Sequence, residues 1–353
     1  MKRLFPTLAA IVVAVVLLSA AEGALRLIGF SREIAPITLQ FGYPNPREII
    51  GLFRFDPRLF WRLRPGSVFE AEAAVPINRL GYRGREPQEP RPAGLVRIAV
   101  LGDSVAFGAA TAWPDFLEAR MTPGIAPRPV EVLNFGVPGY TVVQGLRQFE
   151  DEVARLRPDA VVIAYGWNDH WLARGGLSDD ALPVPSRWRS VLSLQLSRLR
   201  LAQAVQAVAA RFSPDPPSGV STPAAVRRVP AEDYAAHMER LIEETRAAGA
   251  TPIVVGLPSA LTEKDYPAYL VEGGFTPSAR DAVADHTHWA QVAGEAARKA
   301  GVVFVDGQPG YSLDGTPDAA LFTRDRIHLS ARGQARMVEL LEDTVLDALK
   351  AKP

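Results

Sequence analysis

The sequence predicts an α/β protein built on a parallel sheet, and three observations predict it. Five short apolar runs rich in β-branched residues alternate with helix-length amphipathic runs. Proline or glycine marks junctions between them, among them Pro158, Pro230 and Gly249. The first run lies in Val96–Gly108, V-R-I-A-V-L-G-D-S-V-A-F-G, and stops abruptly at Gly-Asp-Ser. A buried strand there delivers Ser104 into the turn at its carboxyl end, where open α/β sheets place their chemistry.

Taken in order, the chain begins with Lys2 and Arg3 and then an uncharged, mainly apolar run from Leu4 to Ala21. Its length falls between a signal-peptide core and a short membrane span, and Leu25, Leu27, Ile28 and Phe30 extend its apolar character. Residues 1–29 are therefore expected to form an uncleaved membrane anchor, with a cleaved signal peptide as the alternative because Ser19-Ala20-Ala21 offers small residues suited to cleavage. The two basic residues stay cytoplasmic and the remainder lies on the far side, periplasmic in a Gram-negative cell.

Residues 30–94 are rich in proline, arginine and aromatics, without the long periodic pattern of a helix or a run of strands. Phe53, Phe55, Leu59, Phe60 and Trp61 are too apolar for a solvated linker, so this segment is expected to pack on the main domain. Pro87, Pro90 and Pro92 stiffen the approach to the first strand.

The main domain, residues 95–353, continues with a helix over Ala112–Met121, a strand over Val130–Leu133, an amphipathic helix over Val142–Leu156 stopped by Pro158, and a strand over Ala160–Tyr165. After an insertion at about 170–229 come a helix over Pro230–Ala248, a strand over Thr251–Leu257, a helix from about Val283 to Ala300, a strand over Val302–Asp306 and a helix over Ser330–Leu349. Five strands separated by helices imply a parallel sheet covered on both faces. The insertion carries an apolar, arginine-bearing stretch from Arg187 to Phe212 and a Pro/Ser-rich link from Ser213 to Pro223. Its composition suits a lid; equally, Val191, Leu194, Leu201 and Val205 suit packing on the sheet edge.

Composition narrows the function. The 39 basic residues balance 39 acidic ones, which removes the electrostatic footprint of a nucleic-acid binder. There is no cysteine, so disulfides, thiolate metal sites and a lipid-modified terminal cysteine are excluded. His286 and His288, near Asp281 and Asp285, share a face only in an extended segment, whereas their surroundings read as helix. No metal and no cofactor is expected.

The turn at Ser104 lacks the Gly-x-Ser-x-Gly spacing of the nucleophile elbow, since Gly102 precedes the serine by two residues and Gly108 follows it by four. Three further short motifs follow at strand ends or before the last helix: Asn134-Phe-Gly-Val-Pro-Gly139, Gly166-Trp-Asn168-Asp169 and Asp325-Arg-Ile-His328. In this order the four blocks resemble those of the SGNH/GDSL hydrolase superfamily, in a membrane-anchored, bacterial-type member, over most of the chain from Val96 onward. The resemblance implies a flavodoxin-like three-layer sandwich. It also implies that Ser104 is the nucleophile, His328 its general base and Asp325 the carboxylate orienting the imidazole. The chemistry agrees, because a serine hydroxyl needs a nearby base, and histidine serves near neutral pH when a carboxylate fixes its tautomer.

For the oxyanion, the resemblance implies the backbone N–H of Ser104, the backbone N–H of Gly139 and the side chain of Asn168, with Gly136 as the alternative glycine. Val105 and Trp167 depart from the family's commonest residues, and Trp167, Trp171 and Phe107 suit either a substrate wall or the core. The function implied is a serine esterase or acylhydrolase that cleaves an ester-bearing lipid, glycan or small molecule through an acyl-enzyme on Ser104. Two rivals use the same features: an extracytoplasmic O-acetyltransferase acting on a polysaccharide, and a glycan-binding module that retains the residues without turnover.

Overall fold

Seven consecutive buried residues, Val96–Gly102, form the central strand β1 of a five-stranded parallel sheet in the computed structural model of the chain. The structure describes residues 4–31, 52–56, 58–70, 74–124, 128–173, 176–182, 188, 192, 195–196, 198–212 and 226–350. The other strands are β2 (Val130–Asn134), β3 (Ala160–Ala164), β4 (Thr251–Gly256) and β5 (Val303–Asp306). Their order in the sheet, β2-β1-β3-β4-β5, is that of the flavodoxin-like doubly wound fold.

Alternation along the strands sends successive side chains to opposite faces. Ala99, Leu101, Val161, Ile163 and Val254 enter one core with the helices Ala231–Ala247 and Ala279–Lys299. Val96, Ile98, Val100, Val162, Ile253 and Val255 enter a second core with the helices Trp113–Gly124 and Ala331–Lys350. Two apolar faces explain why the inner strands read as continuous apolar runs. Strand β5 lies at the edge, with Val303 53% exposed.

Three elements differ from the sequence expectation. The helix expected from Val283 begins at Ala279, because Ser278 caps it by accepting the Asp281 N–H at 3.1 Å. The helix expected over Val142–Leu156 is α-helical only to Gln148, then widens into a π turn over Phe149–Val153 and tightens into a 3-10 turn over Ala154–Leu156. Arg157 follows in the left-handed region at φ 51°, which ends the helical winding before Pro158. The amino-terminal segment, expected to lack strands, contains two short antiparallel pairs, Phe53–Asp56 with Phe60–Leu63 and Val68–Glu70 with Ala74–Pro76. Phe53, Leu59, Phe60, Trp61 and Leu63 are buried in the same core as Tyr140, Val142 and Val143. The side chain of Phe55 lies outside the described residues.

A helix spans Leu4–Leu27, but among the described residues no helix is long and apolar enough to cross a membrane, so the expected membrane segment is not shown. The carboxyl half of this helix is engaged with protein and carries charge: Glu22 pairs with Arg26 and accepts the N–H groups of Arg200 and Leu201 at the start of the insertion helix Arg200–Phe212. In that helix Val205 is 61% exposed, which rules out sheet-edge packing for it, while Val191, Leu194 and the Ser213–Pro223 link lie outside the described residues.

Candidate active site

Parallel pairing brings the blocks together. Val100 pairs with Asn134 on one side and Val162 on the other, and Gly102 pairs with Ala164. The turns that follow β1, β2 and β3 therefore emerge at one edge of the sheet. The turn after β1 is set by Asp103, whose carboxylate accepts the Val105 N–H at 2.8 Å and caps the short helix Ser104–Phe107. Ser104 thus sits at a helix start, where its own N–H needs no partner within the helix.

Ser104 Oγ lies 2.8 Å from His328 Nε2, and His328 Nδ1 lies 2.5 Å from Asp325 Oδ2. Local backbone geometry builds the second half of this chain. Asp325 Oδ1 accepts the N–H groups of Ile327 and His328 at 3.0 and 2.9 Å and the Thr323 hydroxyl at 2.7 Å, so a four-residue loop folds around the carboxylate. The hydroxyl of Ser330 then caps the last helix through the Gly333 N–H at 3.2 Å. The three side chains expected to cooperate are within hydrogen-bond reach of one another.

Electrostatics follow from this geometry. Burial pushes against the charged form of both His328 and Asp325, but their mutual hydrogen bond and attraction outweigh it. His328 is consequently raised above the ordinary histidine value, with Asp103 adding to the rise. Asp325 is held well below the usual carboxylate range, with the Thr323 hydroxyl contributing. Burial pushes Asp103 up to about 6, offset in part by the Val105 N–H and then by His328. Burial likewise pushes Asp169 up to about 8, although it accepts the Val142 N–H at 2.8 Å.

Because His328 must be neutral to accept a proton, activity is expected to rise with pH. The acid limb of kcat/KM should lie above the unperturbed histidine pKa of about 6.5. Asp325→Asn removes the main cause of the rise and should move the limb to lower pH. A pH profile of both proteins checks this; a wild-type limb below the variant's would contradict it.

The two candidate glycines occupy different environments. The Gly136 N–H donates to Asn134 Oδ1 at 2.9 Å, and a Cβ at Gly136 would come within 2.5 Å of Phe107 N, so this glycine lets two turns pack closely. Gly139 sits at φ 83°, a left-handed conformation that favours glycine, and among the described residues its N–H has no hydrogen-bond partner. The Asn168 amide donates to Asp103 Oδ2 at 3.2 Å and to the Tyr140 carbonyl at 3.0 Å, so both of its hydrogens are engaged and service to an oxyanion requires one of them to be shared.

Trp167 and Trp171 are core residues. Trp167 stacks on His286 at 3.8 Å, and His286 is buried while His288, two residues on, is exposed because the segment is helical. Among the described residues no group of three or more His, Cys, Asp or Glu is placed to hold a metal ion.

Phe107 is equally buried in the other core but also lines the cleft in front of Ser104, a cavity of about 790 Å³. Leu52, Phe53, Val68 and Phe69 from the amino-terminal segment line it too, with Ser67, Gln334 and His328 as its polar side chains. Sequence reasoning reached Phe107 and His328 but not Leu52, Phe53, Ser67, Val68, Phe69 or Gln334 as part of this wall. The cluster of aromatics around position 53 signals burial, but nothing in it says which surface it covers.

A hydroxyl, an imidazole and a carboxylate stand in one hydrogen-bonded chain at the carboxyl ends of the strands of a doubly wound parallel sheet, an arrangement chemically able to activate the hydroxyl. The chain belongs to the GDSL-like lipase/acylhydrolase family, whose model matches residues 100–336, and it is a hydrolase acting on ester bonds. Among solved structures it is similar to the lipase/acylhydrolase from Enterococcus faecalis, at 19% identity over 73% of this chain and 99% of that one, with a TM-score of 0.46. It is also similar to an acetylxylan esterase from Geobacillus stearothermophilus, at 19% identity over 72% and 94%, TM-score 0.43. A GDSL-like lipase from Bacteroides thetaiotaomicron matches at 16% identity over 72% and 89%, TM-score 0.43. No curated protein matches the chain.

Proposed function

We propose that the protein is a serine esterase that cleaves esters of apolar acyl groups through an acyl-enzyme on Ser104. The observation that carries this reading is the 2.8 Å contact between Ser104 Oγ and His328 Nε2, continued by Asp325. In the first half-reaction His328 takes the hydroxyl proton as Ser104 attacks the ester carbonyl. The N–H groups of Ser104 and Gly139 receive the developing oxyanion. His328 then passes the proton to the leaving alcohol, and water, deprotonated by the same imidazole, releases the acid. Asp325 steadies the imidazolium in both halves.

The cleft supports the choice of substrate. Its wall of Leu52, Phe53, Val68, Phe69 and Phe107 has no charged side chain among the described residues, and burying each methylene there contributes about 0.8 kcal/mol, roughly fourfold. Transfer to a sugar hydroxyl uses the same three side chains, but no feature of this wall favours a glycan acceptor. The test is a series of p-nitrophenyl esters from acetate to octanoate, with and without added oligosaccharide. We expect kcat/KM to rise by roughly fourfold per methylene until the cleft is filled, and Phe69→Ala to flatten the rise. Equal rates along the series would remove the apolar-acyl assignment, and an acyl product appearing on the oligosaccharide would establish transfer instead.

A further inference from the structure

The peptide group joining Pro138 to Gly139 is held in place by residues from outside the block that contains it. Its carbonyl oxygen accepts the Trp61 Nε1–H at 3.1 Å, and the next carbonyl, that of Gly139, accepts Arg228 Nη1 at 2.8 Å. In a trans peptide the C=O and N–H point in opposite directions. Fixing the Pro138 oxygen on Trp61 therefore aims the Gly139 N–H away from Trp61, and that N–H has no hydrogen-bond partner among the described residues. Glycine leaves such a peptide free to rotate, and the two anchors remove the freedom.

The anchors also brace each other. The Arg228 guanidinium lies 5.9 Å from the Trp61 ring centre and makes two hydrogen bonds to Asp179, at 3.2 and 2.8 Å. The Tyr140 hydroxyl donates to the Trp61 carbonyl at 2.6 Å. Trp61 is fully buried and Arg228 is 4% exposed. Burying a guanidinium costs several kcal/mol, and an apolar side chain of similar size would fill the space without that cost. Such a side chain could not hold the Gly139 carbonyl.

We infer that Trp61, braced by Arg228, is a positioning residue that aims the Gly139 N–H at the oxyanion. Trp61 precedes the residues matched by the family model and Arg228 closes the insertion, so two segments peripheral to the sheet complete its catalytic geometry. This rests on the reading of Ser104 as nucleophile and of Gly139 as oxyanion donor.

In the full chain, 3-benzothienylalanine at position 61 keeps both rings and removes only the N–H donor, whereas Trp61→Phe also removes ring volume from a fully buried site. A misaimed donor should lower kcat by roughly tenfold to a hundredfold, part of the loss expected when an oxyanion donor is removed altogether, with KM within about twofold and, for the benzothienyl isostere, an unchanged melting temperature. Phenylboronic acid, which captures Ser104 as a tetrahedral adduct, should lose affinity by the same factor as kcat/KM, while the carboxylate product binds as in wild type. Trp61→Phe takes the same measurements, with its melting temperature lowered by the lost ring volume and its product affinity unchanged. A folded variant with kcat and boronate affinity intact overturns the inference. So does a parallel fall of melting temperature, boronate affinity and product affinity, which marks a merely structural role. A wild-type chain that neither hydrolyses an ester nor binds the boronate overturns the nucleophile reading itself.

Discussion

Ser104→Ala should abolish ester hydrolysis, by roughly 10⁴-fold or more in kcat, without moving the melting temperature. On the proposed route the Ser104 hydroxyl, the one in contact with His328, forms the acyl-enzyme, so its removal takes away the route and not merely a fraction of its efficiency. Its structural contribution is small: one hydrogen bond to His328, worth about 1 kcal/mol, from a partly buried residue at the start of a four-residue helix. Loss of activity at constant stability is the signature of a catalytic group. Retention of an established esterase activity in Ser104→Ala would end the proposal, and a collapse of stability would return Ser104 to the role of a turn former.

The largest effect on stability should come from Asp179→Ala. Asp179 is 2% exposed and binds the buried Arg228 through both carboxylate oxygens, while the Thr141 hydroxyl donates to one of them at 2.9 Å. Deleting the carboxylate leaves a guanidinium buried without its counter-charge, which costs about 3–5 kcal/mol. Urea unfolding monitored by circular dichroism measures this as a lowered midpoint at constant slope. Asp179→Asn, which keeps one acceptor, should cost less. A change below about 1 kcal/mol for the alanine variant would mean that the Gly139 carbonyl and Gln144 satisfy the guanidinium by themselves.

The sheet was legible in the sequence because its signal is local. Buried parallel strands need uninterrupted apolar runs, and β1, β3 and β4 have them, so their positions follow to within a residue or two. The ends of some helices were less legible. A cap such as Ser278 competes with the apolar pattern, and the change of winding after Gln148 leaves no mark in the spacing of apolar residues. The candidate site residues were legible for a different reason: Ser104, Gly139, Asn168 and the Asp325–His328 pair each sit in a short block at a predicted junction, and the order of the blocks carries the family resemblance.

Other parts were decided by tertiary structure alone. Gly136 and Gly139 are both plausible donors in the sequence, and only the folded chain engages the N–H of one with Asn134 and leaves the other without a partner among the described residues. Trp61, Asp179 and Arg228 are separated by up to 167 positions, as 228 − 61, and no periodicity relates them. Hydrogen bonds and ion pairs act over a few ångströms in space, whatever the distance along the chain. The sequence by itself therefore determined the sheet, the order of the blocks and the family to which that order points. The tertiary structure decided which glycine N–H is left without a partner among the described residues, what holds its peptide and which side chains wall the cleft, because these depend on contacts between segments that only folding brings together.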